Sequence, residues 1–140
     1  MTVYVSAELR RLIVRRAGNC CEYCLLSQND VGFSFHFEHI VSIKHDGKTE
    51  SDNLCLSCPT CNRYKGTDIA ATDPQTGEAT FLFNPRLQHW SDHFRLSGAV
   101  IETLTAQGRV TVFLLRLNNT ERILERLVLF ESGHYPCHQD

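Results

Sequence analysis

The residues best suited to do chemistry lie between positions 21 and 66, where metal ligands and a base occur close together. Two Cys-x-x-Cys spacings bracket a Glu38-His39 pair. The cysteines of these spacings are Cys21, Cys24, Cys58 and Cys61. A carboxylate suits a hard divalent cation such as Mg²⁺, and a neutral imidazole suits removal of a proton from water near neutral pH. The segment therefore indicates a zinc site together with acid–base chemistry.

The choice of zinc ligands is ambiguous from spacing alone. Zn²⁺ prefers four Cys or His ligands, and two short Cys-x-x-Cys turns can supply them. Cys55 has the same spacing to Cys58 as Cys58 has to Cys61, and Cys20 adjoins the first turn. We favour Cys58 with Cys61, because proline follows Cys58 as at a helix start. Cys55 is then expected to be a small buried core residue, and Cys20 and Cys137 are not expected to bind the metal.

Length, composition and charge indicate one ordinary globular domain spanning residues 1–140. The chain is 42% hydrophobic and 21% charged, and its formal net charge is −2. Such a charge provides no global attraction for nucleic acid, so any nucleic-acid surface must be local. The candidate is the cluster Arg10, Arg11, Arg15 and Arg16, which could equally be a solvated helix face.

The first residues, MTVYVSAELRRL, lack the basic and apolar regions of a signal peptide, and no apolar run approaches the ~20 residues of a membrane helix. We therefore expect a cytoplasmic location and no membrane partner. In a reducing compartment, seven cysteines favour metal binding over disulfides.

The elements that must position the site are predicted from local signals. Ser6 is a suitable N-cap for a helix that reaches about residue 17 and ends at Gly18. Residues 31–43 are rich in Phe, Val and Ile and predict a strand, and residues 44–53 predict a polar loop. A short helix is predicted to begin at Pro59.

The second half of the chain predicts a turn-rich connector at 67–80, followed by strands and helices. The strands are predicted at 81–83 and within 90–104, and the helices at 108–117 and 120–130. In the last helix, Leu124, Leu127 and Val128 are spaced for burial. The tail from His134 is expected to be disordered.

The central segment resembles the HNH endonucleases, a family with a ββα-metal core. The resemblance covers residues 21–66, about a third of the chain. It rests on Glu38-His39-Ile40, Asn53-Leu54, Cys58-Pro59-Thr60-Cys61-Asn62 and Lys65-Gly66. A looser resemblance to the tail of small stand-alone bacterial HNH proteins continues through Leu82 to Val112, without roles to transfer.

The resemblance implies a role for four residues of the site. His39 would be the general base that activates water, and Asn53 would constrain the loop and the base. Glu38 and Asn62 would bind a catalytic divalent cation, Mg²⁺ or Mn²⁺; many members have Asp at the first of these positions and His at the second. The four cysteines match members that carry two zinc knuckles.

The resemblance also implies an architecture and a substrate. The expected fold class is α+β, with an N-terminal helix at 1–19, a zinc-stabilised HNH nuclease core at 20–67 and an appended C-terminal subdomain at 78–140. The implied activity is hydrolysis of DNA phosphodiester bonds, with Lys65 and Arg63 holding flanking phosphates. The low net charge favours help from a protein partner or a homodimer. The alternative is a non-catalytic zinc module that binds nucleic acid or protein.

Overall fold

The computed structural model describes residues 4–138 and shows a mixed arrangement of four α-helices and three two-stranded antiparallel sheets. Residues 1–3 and 139–140, which include the ends of the predicted 1–140 domain, lie outside the described residues. The predicted α+β class, with a ββα core between an N-terminal helix and a C-terminal extension, is confirmed. The elements in chain order are α1 (Ala7–Ala17), β1 (His36–His39), β2 (Leu54–Ser57), α2 (Pro59–Lys65), β3 (Ala70–Thr72), β4 (Ala79–Phe81), β5 (Phe94–Ser97), β6 (Val100–Thr103), α3 (Ala106–Leu115) and α4 (Thr120–Glu131).

Helix α1 begins and ends where its capping residues predict, and helix α2 begins where its capping residues predict. The Ser6 hydroxyl accepts a hydrogen bond from the backbone N–H of Leu9, and Gly18 ends α1 in the left-handed conformation with φ 63°. Cys58 caps α2 through its sulfur, and Pro59 occupies the first turn. Capping satisfies backbone groups that the helix itself leaves without partners, so these local signals define the ends reliably.

The ββα core consists of β1, β2 and α2. Strand β1 pairs antiparallel with β2, so that Glu38 lies opposite Cys55 and His39 lies opposite Leu54. All four residues of β2 are buried, whereas in β1 only Glu38 is buried. The strand predicted over 31–43 is therefore too long, because only residues 36–39 have a pairing partner; a lone extended segment has no ladder to join.

The C-terminal half contains more sheet than expected and places its last helix differently. The predicted connector at 67–80 contains strand β3 and the first two residues of its partner β4, which ends at Phe81, the first residue of the strand predicted at 81–83. In α4, Leu124 and Val128 are 54% and 69% exposed, whereas Arg122 and Arg126 are 7% and 1% exposed. The prediction that this helix buries Leu124 and Val128 is therefore wrong. Its buried face carries two arginines.

The chain end packs against the first cysteine turn. The Tyr135 hydroxyl donates to the Cys24 carbonyl oxygen at 2.7 Å, and the Cys137 amide donates to Leu25 O at 2.9 Å. Cys137 also forms a disulfide with Cys20. The expectation of a disordered tail is thus wrong for residues 134–138. The disulfide also runs against the expectation that the cysteines favour metal binding over disulfides. That expectation assumed a reducing compartment, which was predicted from the lack of signal-peptide and membrane-helix features, and the disulfide is at odds with it.

One hydrophobic cluster runs from Val5 in the N-terminal segment through the ββα core to Leu115 and Tyr135. Segments far apart in sequence thus share one core. The division into a nuclease core at 20–67 and a subdomain at 78–140 stays a prediction. Within residues 4–138, no helix is long and apolar enough to cross a membrane.

Candidate active site and zinc centre

The zinc centre is formed by the two predicted Cys-x-x-Cys turns. The sulfur atoms of Cys21, Cys24, Cys58 and Cys61 all lie within 4.8 Å of one another, and all four residues are buried. The Cys24 and Cys58 sulfurs are 3.7 Å apart. Zn–S bonds of ~2.3 Å in a tetrahedron require sulfurs about 3.8 Å apart, so this donor set fits a structural Zn²⁺.

The structure also decides between the competing cysteines. The Cys55 sulfur lies outside the cluster and donates to Glu38 Oε2 at 3.4 Å, and Cys20 is held in its disulfide. Within the cluster, the amide of Cys24 donates to Cys21 Sγ at 3.5 Å, and that of Cys61 donates to Cys58 Sγ at 3.4 Å. Each turn therefore directs a backbone dipole at its first sulfur, which favours the thiolate form that a metal needs.

Burial opposes charge at this centre. Desolvation raises the pKa of the Cys21 thiol and of the Cys61 thiol well above the ordinary value. Hydrogen bonds from the neighbouring cysteines instead hold the pKa of Cys24 well below the ordinary value. Burial therefore favours protonated thiols at Cys21 and Cys61 when no cation is bound. A Zn²⁺ bound here would replace the thiol protons and would link the first turn to the start of α2, two segments more than thirty residues apart in sequence.

His39 ends strand β1 and is partly exposed. Its Nε2 atom lies 3.0 Å from Thr49 Oγ1 in the loop between β1 and β2. Desolvation lowers the pKa of His39 below its ordinary value of 6.5, and the positive charge of Lys65 lowers it further. The imidazole is therefore neutral at pH 7 and can accept a proton.

The loop that carries Thr49 is held by Asn53. The Asn53 side chain accepts from the Val41 amide at 2.9 Å and donates to the carbonyl oxygens of Val41 and Lys48 at 2.8 and 2.9 Å. Gly47 lies in the same loop, where an added Cβ would stand 1.7 Å from Val41 O. These contacts close the loop tightly around the end of β1. They thereby hold Thr49, the hydrogen-bond partner of His39, in place.

Glu38 points away from His39, because neighbouring residues of a strand face opposite sides. Its Oε1 atom lies 3.1 Å from Lys65 Nζ, and the two side chains are 4% and 2% exposed. The same ammonium donates to Ile40 O at 2.9 Å and lies 3.4 Å from His39 O. The hydrogen bonds of the Lys65 ammonium go to the His39 and Ile40 carbonyl oxygens. Its interaction with Glu38 Oε1 is therefore mainly electrostatic.

A divalent cation does not fit Glu38 in this arrangement. Burial raises the pKa of Glu38, and the Lys65 charge partly offsets that rise. A metal bound to the same carboxylate would lie about 4 Å from the ammonium, where a double and a single positive charge repel by about 8 kcal/mol at an effective dielectric constant of ~20. The predicted cation at Glu38 and Asn62 therefore stays a prediction that requires Lys65 to move.

The other predicted residues lie on helix α2. Asn62 is partly buried in its first turn, and Arg63 is exposed with its guanidinium 5.0 Å from the centre of the Tyr64 ring. Arg63 can reach a phosphate from this position. The predicted contact of Lys65 with a phosphate does not fit its placement, because its ammonium is buried and already has oxygen partners.

Sequence reasoning missed three partners of the site: Thr49 beside His39, Lys65 beside Glu38, and an arginine of α4 beside the zinc sulfurs. One signal was available for Lys65. It lies four residues after Cys61, and residues four apart share a helix face. The buried cysteine thus indicates that Lys65 faces inward. Thr49 and the arginine give no comparable local signal.

Comparisons with known proteins bear on the family that the central segment resembles. Residues 21–68 match the family model described as HNH endonuclease, so the predicted resemblance to that family is confirmed. The chain is also 22% identical over 125 residues to the Septu protein PtuB of Bacillus thuringiensis, which covers 88% of this chain and 46% of that relative. The chain thus spans about half the length of the curated relative. No solved structure matches it significantly.

Proposed function

We propose that this protein is an HNH-type endonuclease that hydrolyses phosphodiester bonds of DNA, with His39 as the general base. The observation that carries the proposal is the environment of His39. It is a partly exposed imidazole with a lowered pKa, hydrogen-bonded to Thr49, within the segment that matches the HNH family model. DNA as the substrate is what the family implies.

The proton transfer follows from the contact with Thr49. When the Nε2–H of His39 donates a hydrogen bond to Thr49 Oγ1, Nδ1 carries the lone pair of the neutral ring. Nδ1 then removes a proton from a water molecule, which attacks the phosphorus in line with the leaving 3′ oxygen. A positioned general base of this kind contributes roughly 10²–10⁴-fold to a rate.

Two neighbours hold the base in place. Asn53 closes the loop that carries Thr49, and Lys65 donates to the carbonyl oxygens of His39 and Ile40. A divalent cation, where bound, would stabilise charge that develops on the phosphate. Because Glu38 as placed does not fit that ion, we assign it no step. Arg63 is the exposed cation proposed to contact a flanking phosphate.

The test is cleavage of supercoiled plasmid by zinc-loaded protein, with Mg²⁺, with Mn²⁺ and with neither. His39→Ala is compared with His36→Ala, a matched control because His36 lies on the same strand and is exposed. We expect His39→Ala to lose about 10²–10⁴-fold in rate and His36→Ala to keep it. Because protonated His39 cannot act as a base, the rate should rise with pH, and the midpoint of that rise should lie below pH 6.5.

Three outcomes are informative. Equal cleavage by the wild type and His39→Ala would remove His39 as the base. Absence of cleavage in every condition would favour a non-catalytic zinc module that binds nucleic acid or protein. Cleavage that needs Mg²⁺ or Mn²⁺, with weaker Mn²⁺ binding in both Glu38→Gln and Asn62→Ala, would support the predicted cation site despite the position of Lys65.

A protein partner or a homodimer remains part of the proposal. The net charge of −2 leaves the chain without the general attraction to phosphate that most non-specific DNA binding uses. Its mass in solution, measured with and without DNA, tests for the homodimer. A monomer that cuts plasmid without help would remove the need for either assembly.

A further inference from the structure

Helix α4 buries arginines against the core, and one of them contacts the zinc centre. Arg122 Nη2 donates to Cys61 Sγ at 3.1 Å and lies 3.7 Å from Cys58 Sγ. Its Nη1 donates to Leu115 O at 2.7 Å, at the end of α3. Because the guanidinium is planar and rigid, the contact with Leu115 orients the other nitrogen toward the sulfurs.

The charge of the centre explains why a cation is needed there. Four thiolates around one Zn²⁺ carry a net charge of −2, and all four cysteines are buried. Buried charge is costly unless it is paired or hydrogen-bonded. The backbone amides of Cys24 and Cys61 already donate to Cys21 and Cys58. Arg122 adds a full positive charge to the second turn and is the side-chain donor at Cys61.

We propose that Arg122 is a positioning residue of the zinc centre, so that helix α4 controls how tightly the chain holds zinc. The helix lies outside residues 21–68, which match the HNH family model. Partners of metal ligands typically change metal affinity by about 10–100-fold when they are removed. The proposal does not depend on nuclease activity, because it concerns only metal binding.

Arg126 provides a matched control on the same helix. It lies one turn after Arg122 and is more deeply buried, but it donates to Ala99 O at 2.9 Å and to Asn118 Oδ1 at 3.2 Å. Replacing either arginine with methionine removes one buried cation from α4. Only Arg122→Met removes the N–H···S contacts, so the comparison separates them from loss of stability in general.

The experiment measures transfer of zinc from the purified full chain to a coloured chelator, together with unfolding by urea. We expect Arg122→Met to release zinc about 10–100-fold faster than the wild type, and Arg126→Met to release it at nearly the wild-type rate. Arg122→Lys keeps the positive charge but loses the planar guanidinium with its several N–H donors, so we expect an intermediate rate of zinc release. In protein loaded with Co²⁺, the sulfur-to-cobalt absorption bands should shift in Arg122→Met and stay unchanged in Arg126→Met.

Several results would overturn the proposal. Equal release rates for Arg122→Met and the wild type would do so, as would equal acceleration by Arg126→Met, which would indicate loss of stability alone. A wild-type protein that binds neither Zn²⁺ nor Co²⁺ would also remove the basis of the proposal. If Arg122→Met does not fold, Arg122→Lys carries the test, and unchanged zinc release and cobalt bands in that variant would refute it.

Discussion

Replacing Lys65 with methionine tests the buried ion pair behind the candidate base. The ammonium of Lys65 lies 3.1 Å from Glu38 Oε1, and both side chains are almost completely buried. Removing one partner of a buried pair typically costs about 3–5 kcal/mol, because the remaining charge has neither water nor a partner. The variant also loses the hydrogen bond to Ile40 O. We therefore expect the free energy of unfolding to fall by about 3–5 kcal/mol near pH 8.

The loss should depend on pH in a defined direction. Burial already raises the pKa of Glu38 in the wild type, and the Lys65 charge opposes that rise. Without Lys65 the pKa rises further. Between the ordinary glutamate pKa of about 4.3 and this higher value, the folded state binds more protons than the unfolded state, so stability falls as pH rises. The deficit of Lys65→Met should thus be smaller near pH 5.5 than near pH 8.

The assay is urea unfolding of zinc-loaded protein at both pH values, with each variant compared with the wild type at the same pH. Glu38→Gln is the control, since it also breaks the pair but leaves no buried carboxylate to titrate, so its deficit should not grow between pH 5.5 and pH 8. The double variant should lose less than the sum of the two single losses. Equal deficits for Lys65→Met at the two pH values, or simple additivity, would refute the buried ion pair.

Three further predictions concern the loop, the metal and the chain end. Gly47→Ala should lower the free energy of unfolding by about 3 kcal/mol or more, because its Cβ would overlap the backbone, whereas Gly32→Ala, with open space around it, should have little effect in the same urea assay. Cys61→Ala should abolish binding of one zinc equivalent measured by elemental analysis, whereas Cys55→Ala should retain it. The opposite result would indicate that Cys55, and not Cys61, is a zinc ligand. A reducing agent should lower wild-type stability by up to about 4–5 kcal/mol, as expected for residues 117 apart, and should leave Cys137→Ser unaffected.

The amino-acid sequence by itself determined the features that depend on neighbouring residues. The two Cys-x-x-Cys turns, the cap at Ser6, the end of α1 at Gly18 and the start of α2 at Pro59 all follow from interactions within a few positions. The same local pattern supports the HNH resemblance. Short-range signals of this kind are reliable because the terminal N–H and C=O groups of a helix have no hydrogen-bond partners within the helix and depend on the capping residues.

The sequence was less informative about strands. The predicted strand at 31–43 shortens to His36–His39, and strand β3 with most of β4 lies within the predicted connector at 67–80. A strand exists only where another strand offers hydrogen-bonding partners, and that partner is selected by the fold rather than by the residues of the strand itself.

Only the tertiary structure decided which groups meet at the candidate site. It separates Cys55 from the zinc cluster, pairs Lys65 with Glu38 and directs Arg122 at the sulfurs. Each of these contacts joins segments that are between 17 and 61 residues apart. Charged residues such as Lys65 and Arg122 normally remain in water. They are buried here because each contacts a specific opposite charge or hydrogen-bond acceptor in the core. Such pairing depends on where distant segments pack, and a single sequence read locally does not contain that information.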